Sequence, residues 1–285
     1  MHTKQHDIDM GRMLADRVAV ITGSGRGIGR AAALLFARLG ARVAVSDIDA
    51  GPARETVEQI AAEGGEAIAC VGDITAPGFP ESLLAAAADK WGGLHILVNN
   101  AGYTWDGMVA GMSDEQWDRI IDLHLKAPFR MIRAAAPYFV EAAKKEMEAG
   151  APAVARKIVN ISSISGVGGN LGQANYSSAK SGVVGLTRTM SKEWARYNVQ
   201  SNCVAFGLID TRLTGEKEKG VSVQIDGKKI AVGVPEKVRQ GFIQMIPAGR
   251  PGTPEEAARA ILFFASPLSD YVSGQLLVVG GGLST

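Results

Sequence analysis

Short apolar runs recur along the chain, separated by longer stretches in which apolar positions return every three or four residues. The runs are Val18 to Ile21, Val43 to Val45, Ala67 to Val71, Ile96 to Val98, Ile158 to Ile161, Val199 to Val204 and Leu276 to Val279. Most lack polar alternation, so they read as strands covered on both faces. Between them, Arg30 to Leu39, Ala53 to Glu63, Glu81 to Trp91, Asp114 to Ala136, Ser177 to Tyr197 and Pro254 to Ala265 carry helical periodicity. Strand and helix alternate throughout, which predicts right-handed βαβ units and one α/β domain: a doubly wound parallel seven-stranded sheet with helices on both faces. Ligands of such sheets bind beyond the carboxyl ends of the strands, so functional residues are expected just after strands.

Three segments fall outside this alternation. Residues 1–15 form an N-terminal extension expected to be flexible, ahead of a domain spanning 16–285. Glu141 to Arg156 reads as a charged helix extension followed by a loop, a solvated spacer without assigned function. The stretch 207–250 is a substrate-loop insertion. Its polar part, Thr214 to Ile246, is long enough to be a lid over a substrate. Val221, Val223, Ile230, Val232 and Val234 are interleaved there with polar residues. That pattern suits a moderately hydrophobic or carrier-linked acyl substrate, and an ordinary hairpin equally.

Composition narrows the possible partners. Thirty basic residues face twenty-nine acidic ones for a formal charge of +1, which offers no electrostatic footprint for nucleic acid or an anionic membrane. No stretch approaches the ~20 apolar residues needed to span a bilayer, and the N-terminus has no signal-peptide core, so a cytoplasmic location is expected. Cys70 and Cys203 lack the paired spacing of a zinc site or disulfide, and the histidines show no ligand pattern; no metal is expected.

The first strand runs directly into Thr22-Gly23-Ser24-Gly25-Arg26-Gly27-Ile28-Gly29. This glycine-rich turn opens a helix, the context of a phosphate-binding loop in a Rossmann-type sheet. Gly23 permits the tight turn, Gly27 lets backbone approach a pyrophosphate, and Gly29 lets the helix pack close to the strand. Ser24, Arg26 and Ile28 complete the expected loop. Asp47 closes the second strand, where a carboxylate accepts hydrogen bonds from the adenosine ribose, with Ile48 beside it. A 2′-phosphate there would meet like charge, so NAD is preferred; NADP stays open because Arg26 partly offsets the carboxylate. Asp49 reads as a turn or capping residue. Asp73 and Ile74 follow the third strand, where Asp73 suits either the adenine amino group or an ordinary strand end. Asn100, Ala101 and Gly102 follow the fourth strand as further cofactor contacts, while Asn99 equally suits a structural role.

Tyr176 and Lys180 stand four apart at the start of a predicted helix, on one face. A phenol with a reference pKa of about 10 is a poor acid or base near neutrality. A neighbouring ammonium and a cationic nicotinamide stabilise its phenolate and make it workable. Ser163, at the end of the fifth strand, is placed to hydrogen-bond a substrate oxygen while Tyr176 exchanges its proton.

With TGSGRGIG, NNAG, NISS, YSSAK and SGQLLVVGGG in place, the chain resembles the short-chain dehydrogenase/reductase family of the single-domain type, from Val18 to Leu283. Within it the chain is most similar to the bacterial 3-oxoacyl-acyl-carrier-protein reductases. The resemblance implies Ser163, Tyr176 and Lys180 as the catalytic set, with Lys180 also holding the nicotinamide ribose, and a homotetramer. It implies cofactor contacts from Tyr176, Gly207, Ile209 and Thr211 as well. Three positions depart from the family pattern. His124 stands where the family has an asparagine that orders a water leading from the lysine to solvent. As a neutral imidazole it suits the relay and would add its own titration, or it fills the core. Phe206 replaces the proline before Gly207, and Gly280 stands in place of an aspartate at a tetramer contact. The expected activity is hydride transfer between NAD(P)(H) and a carbonyl/alcohol pair, on a 3-oxoacyl thioester or a related ketone or alcohol. A non-catalytic dinucleotide sensor is the alternative, but would have little need of all three of Ser163, Tyr176 and Lys180. A sugar-nucleotide epimerase or dehydratase is disfavoured by the glycine spacing.

Overall fold

The protein is described as a computed structural model covering residues 8–215, 222–225 and 228–283. Its strands are β1 (Val18–Thr22), β2 (Arg42–Asp47), β3 (Glu66–Val71), β4 (Ile96–Asn99), β5 (Arg156–Ser163), β6 (Val199–Phe206), β7 (Ser222–Ile225), β8 (Lys228–Ala231) and β9 (Leu276–Val279). Seven of them form one parallel sheet in the order β3-β2-β1-β4-β5-β6-β9, as the alternation of the sequence predicts. The order reverses between β1 and β4, so the connections leaving these two strands part to opposite faces and open a crevice at their carboxyl ends.

Successive residues of a strand serve opposite faces. Ala19 and Ile21 of β1 pack into one core with Phe36, Ile60 and Ile261, while Val18 and Val20 pack into the other with Leu83, Met131 and Phe139. The first core is covered by α1 (Gly27–Arg38), α2 (Ala50–Ala62) and, from the far end of the chain, α10 (Pro254–Ala265). On the second face lie α3 (Phe79–Trp91), α4 (Asp114–Ile121), α5 (Ala127–Ala136), α6 (Ala142–Glu148) and α8 (Ala174–Glu193). Two short segments complete the chain: α7 (Ser165–Gly168) and α9 (Glu236–Met245). Burial on both faces fails only toward the sheet edges, where Val71 of β3 and Leu277 and Val278 of β9 are exposed.

The long helix expected over Asp114 to Ala136 is longer and interrupted. It runs from α4 to α6 through two π-helical turns, Asp122–Lys126 and Pro137–Glu141. Pro128 lacks an N–H and crowds the carbonyl four residues back, that of His124. The wider turn absorbs the mismatch, with the Ala127 N–H reaching Asp122 O five residues back.

Each of the three irregular segments is tied to the rest of the fold by specific contacts. The N-terminal extension is anchored in its described part: Leu14 is 1% exposed, and its N–H donates to Leu39 O at 3.0 Å. Residues 1–7 lie outside the described residues. The charged stretch before β5 is tied back by Glu146, which accepts from Arg156 Nη2 at 2.6 Å and from the Val154 N–H at 2.8 Å. The insertion after β6 is an antiparallel hairpin, with Val223 opposite Ile230, followed by α9. Val221 falls outside the described residues. Arg239 of α9 donates to Thr214 O and Asp210 Oδ1, both at 3.1 Å, so α9 is tethered to the segment that leaves β6.

His95, just before β4, accepts the Val18 N–H at Nδ1 at 3.1 Å. Burial, then the positive charges of Arg17 and Arg156, push its pKa from 6.5 to about 4. A depressed folded-state pKa means the contact stabilises fully above pH 6.5 and is lost as pH falls through about 4. Imidazole NMR should therefore show His95 titrating near pH 4; a midpoint near 6.5 would contradict the buried, neutral acceptor.

Candidate active site

The crevice at the switch point opens into a cavity of about 390 Å³, lined from every strand end between β3 and β6. Its near wall is the glycine loop. Gly23 has φ +64, and a Cβ there would lie 2.7 Å from Ala101 Cα; Gly27 has φ +54. A Cβ on Gly29 would fall 2.3 Å from Gly23 O, so only glycine lets α1 start so close to β1. The loop is held from the neighbouring strand. Asn100 Nδ2 donates to Thr22 O at 2.9 Å and Gly23 O at 3.1 Å, and Thr22 Oγ1 accepts the N–H groups of Asn100 and Ala101 at 3.0 Å. The Asn100 side chain thus braces the loop.

Of the residues expected at a cofactor, Gly23, Arg26, Gly27, Ile28, Gly29, Asp47, Ile48, Asp73, Ile74, Asn100, Ala101, Gly102, Gly207, Ile209 and Thr211 all line the cavity. Ser24 does not. It is fully buried, its hydroxyl donating to Ile21 O at 2.6 Å and accepting the Ser46 N–H at 3.1 Å, so it joins β1 to β2 instead of meeting a ligand. Asn99 is structural too, donating to Asn160 Oδ1 at 2.8 Å. Asp73 accepts both the backbone and hydroxyl hydrogens of Thr75 at Oδ1, at 2.8 and 2.7 Å, closing an Asx turn at the cavity wall. Asp47 is fixed on both oxygens: Oδ2 accepts the Gly25 N–H at 2.9 Å and Oδ1 the Asp49 N–H at 3.0 Å.

The opposite wall follows β6. Gly207 comes within contact of Gly280, whose Cα is 2.8 Å from where a Gly207 Cβ would stand. A Cβ on Gly280 itself would meet only ordinary contacts, with Gly207 Cα at 3.8 Å, so it is position 207 that this approach of β6 to β9 restricts to glycine. Beyond it, Gly252 exchanges backbone hydrogen bonds with Leu208 and Asp210 at 2.9 and 2.8 Å, fixing Ile209 to Leu213 along the cavity. Thr214 Oγ1 donates to Ile209 O within the same turn.

At the inner end Ser163, Tyr176, Lys180 and His124 meet. Asn175, absent from the sequence-level set, aims the tyrosine. It is fully buried, donates to Trp105 O at 3.1 Å and Gln116 O at 3.0 Å, and accepts the Tyr176 N–H at 2.8 Å. One helical turn on, Lys180 lies 4% exposed, its ammonium 2.7 Å from Ile161 O and 5.6 Å from the Tyr176 ring centroid. Burial sets the electrostatics. It raises the Tyr176 phenol to about 12, against a lowering by the hydrogen bond with Ser163 and with a smaller raising by Asp106. It lowers Lys180 to about 8. Near neutrality the phenol holds its proton and the amine is mostly charged.

His124 sits in the π-helical turn, its ring edge-on to Tyr176 at 5.0 Å between centroids. Nε2 is 2.7 Å from Tyr103 O, so Nε2 carries the hydrogen and Nδ1 is an acceptor. Nδ1 is buried without a partner among the described residues. Burial first, then the Lys180 charge, hold its pKa well below 6.5. A titration of its own near neutrality is therefore not available to it. A Cβ on Gly102 would lie 2.3 Å from its Cε1, so the glycine after Ala101 makes room for the imidazole.

A glycine-cradled cleft that could not accept Cβ atoms, closed at its inner end by a serine, a tyrosine and a buried lysine, defines a nicotinamide-dependent oxidoreductase of hydroxyl and keto groups. The family model described as Enoyl-(Acyl carrier protein) reductase matches residues 23–284. Relatives match over nearly the whole chain. The 3-oxoacyl-acyl-carrier-protein reductase FabG of Thermotoga maritima is 37% identical, covering 95% of this chain and 98% of its own length. The (3R)-3-hydroxyacyl-CoA dehydrogenase of Canis lupus familiaris is 36% identical, with 95% and 97% covered. The hydroxyacyl-CoA dehydrogenase ChsB1 of Mycobacterium tuberculosis is 38% identical, with 94% and 78% covered. The chain belongs to the short-chain dehydrogenase/reductase family.

Proposed function

We propose that this protein interconverts 3-oxoacyl and 3-hydroxyacyl thioesters with NAD(H) as the hydride carrier. The observation that carries the reading is the convergence of Ser163, Tyr176 and Lys180 at the inner end of a cavity whose outer end is closed by the fixed carboxylate of Asp47. The thioester follows from the relatives, whose names share a 3-oxoacyl or hydroxyacyl substrate on a carrier protein or coenzyme A. NAD(H) follows from Asp47, which suits ribose hydroxyls and repels a 2′-phosphate. A homotetramer, a cytoplasmic location and a lid role for the hairpin with α9 belong to the same reading.

A dinucleotide held here would supply or accept the hydride. Gly27 and the start of α1 would hold its pyrophosphate on backbone N–H groups, and Asp47 would accept from its ribose. The Ser163 hydroxyl donates to the substrate oxygen. Tyr176 Oη gives that oxygen its proton during reduction and removes it during oxidation. Burial keeps the phenol protonated in the free protein, the state that reduction needs. Lys180 stabilises the phenolate as the proton leaves and would hold the nicotinamide ribose. His124 is a positioning residue in this reading: its Nδ1 accepts from a water that also meets the Lys180 ammonium, standing in for the asparagine as an acceptor only.

Tyr176→Phe should lower kcat/KM by about 10²- to 10⁴-fold, the usual range for removing a general acid, and retain NADH binding; near-native turnover would overturn the assignment. The kcat/KM for reduction should fall as pH rises through about 8, where Lys180 loses its charge in the free protein. A profile flat from pH 7 to about 9 would remove Lys180 from the mechanism. His124→Phe should lower kcat more than it alters KM, and His124→Asn should restore most of the loss; equal damage from both would reduce His124 to packing.

A further inference from the structure

The outer end of the cavity carries charges that hydride transfer does not use. Arg26 and Asp49 occupy the N-cap positions of α1 and α2, and neither side chain caps its helix. They meet each other instead, Arg26 Nη1 donating to Asp49 Oδ2, and both line the cavity. The side chains are 39% and 48% exposed. An ion pair so exposed adds little to stability. Among the described residues Arg26 is the one ion-pair partner of the Asp49 carboxylate, so its effect falls first on Arg26.

Asp47 cannot turn aside to admit a second anion. Both its oxygens are bound, and a Cβ on Gly25 would lie 2.8 Å from Oδ2, so the backbone already rests against it. Arg212 brings a second cation to the cavity from the loop after β6, within the field of Arg26, Asp49 and Asp47. Among the described residues around Arg212, these two guanidinium groups and two carboxylates balance to zero. A phosphate dianion finds no net attraction there, whereas a neutral ribose needs only the acceptor that Asp47 provides.

We propose that Asp49 is a specificity-determining residue: by holding Arg26 in an ion pair it withholds that guanidinium from a 2′-phosphate, and so selects NADH over NADPH together with Asp47. The proposal rests on the dinucleotide reading above. A phosphate at Arg26 must displace the Asp49 carboxylate, leaving it unpaired beside a dianion, or share the guanidinium with it. Without the Asp49 charge, Arg26 and Arg212 outnumber Asp47 and the local field turns positive.

The test is direct binding, read by the fluorescence of the reduced nicotinamide, of NADH and NADPH to the native chain, Asp49→Asn, Asp49→Ser and the double variant Arg26→Gln/Asp49→Asn. Asp49→Ser removes the charge while placing a residue favoured at an N-cap in that position, which separates charge from helix stability. Both single variants should bind NADPH about tenfold more tightly, about 1.4 kcal/mol, with NADH altered by less than about twofold. The gain should vanish in the double variant and shrink with added salt, as for exposed charges. An unmoved NADPH affinity, or an equal gain for both dinucleotides, overturns the proposal alone when the native chain binds NADH. A native chain that binds neither overturns the dinucleotide reading and this proposal with it.

Discussion

Thr22 and Asn100 hold the carboxyl ends of β1 and β4 together where the sheet would otherwise part. The threonine hydroxyl accepts two N–H groups from the β4 turn, and the asparagine amide returns two donors to the β1 carbonyls. The crevice between the two faces begins at this seam, and every wall of the cavity is placed relative to it. Without the seam the glycine loop would have no fixed distance from Ala101 and Gly102, and the imidazole behind Gly102 would have no fixed place.

The inner end of the cavity works by exclusion of water. Lys180 and His124 are buried and Tyr176 is partly buried, and the loss of water moves each toward its neutral form. Lys180 is the one that stays charged near neutrality, and its charge in turn helps keep His124 neutral. One cation thus sets the state of the group beside it, in a setting where charges interact more strongly than in water. The packing that permits this is local: Gly166 approaches the backbone of Lys180 so closely that a Cβ would lie 2.6 Å from its carbonyl carbon, and Ser162 Oγ donates to Lys180 O at 2.7 Å.

The strands, the glycine loop, Asp47 and the Tyr176 and Lys180 pair were legible in the chain because each is a local pattern: an apolar run, a turn composition, a strand end, an i,i+4 spacing. What failed to show was of another kind. Ser24 sits in the glycine loop yet faces β2, because the turn at Gly23, with φ +64, carries its hydroxyl onto Ile21 O and the Ser46 N–H. Asp49 looks like a cap and pairs with Arg26, twenty-three positions away in the chain. Asn175 orients Tyr176 through carbonyls on two other segments, and α9, polar, with Gly241 in its interior and none of its residues fully buried, lies within the stretch whose composition reads as an insertion.

By itself the sequence determined the parallel α/β sheet, its seven strands and the residue types that gather at their carboxyl ends, since buried periodicity and turn chemistry act over a few neighbouring positions. The tertiary structure alone decided the tautomer of His124, the charge states at the inner end and the pairing at the outer end. Those depend on which groups meet across elements distant in the chain, and on how much water the packing leaves between them.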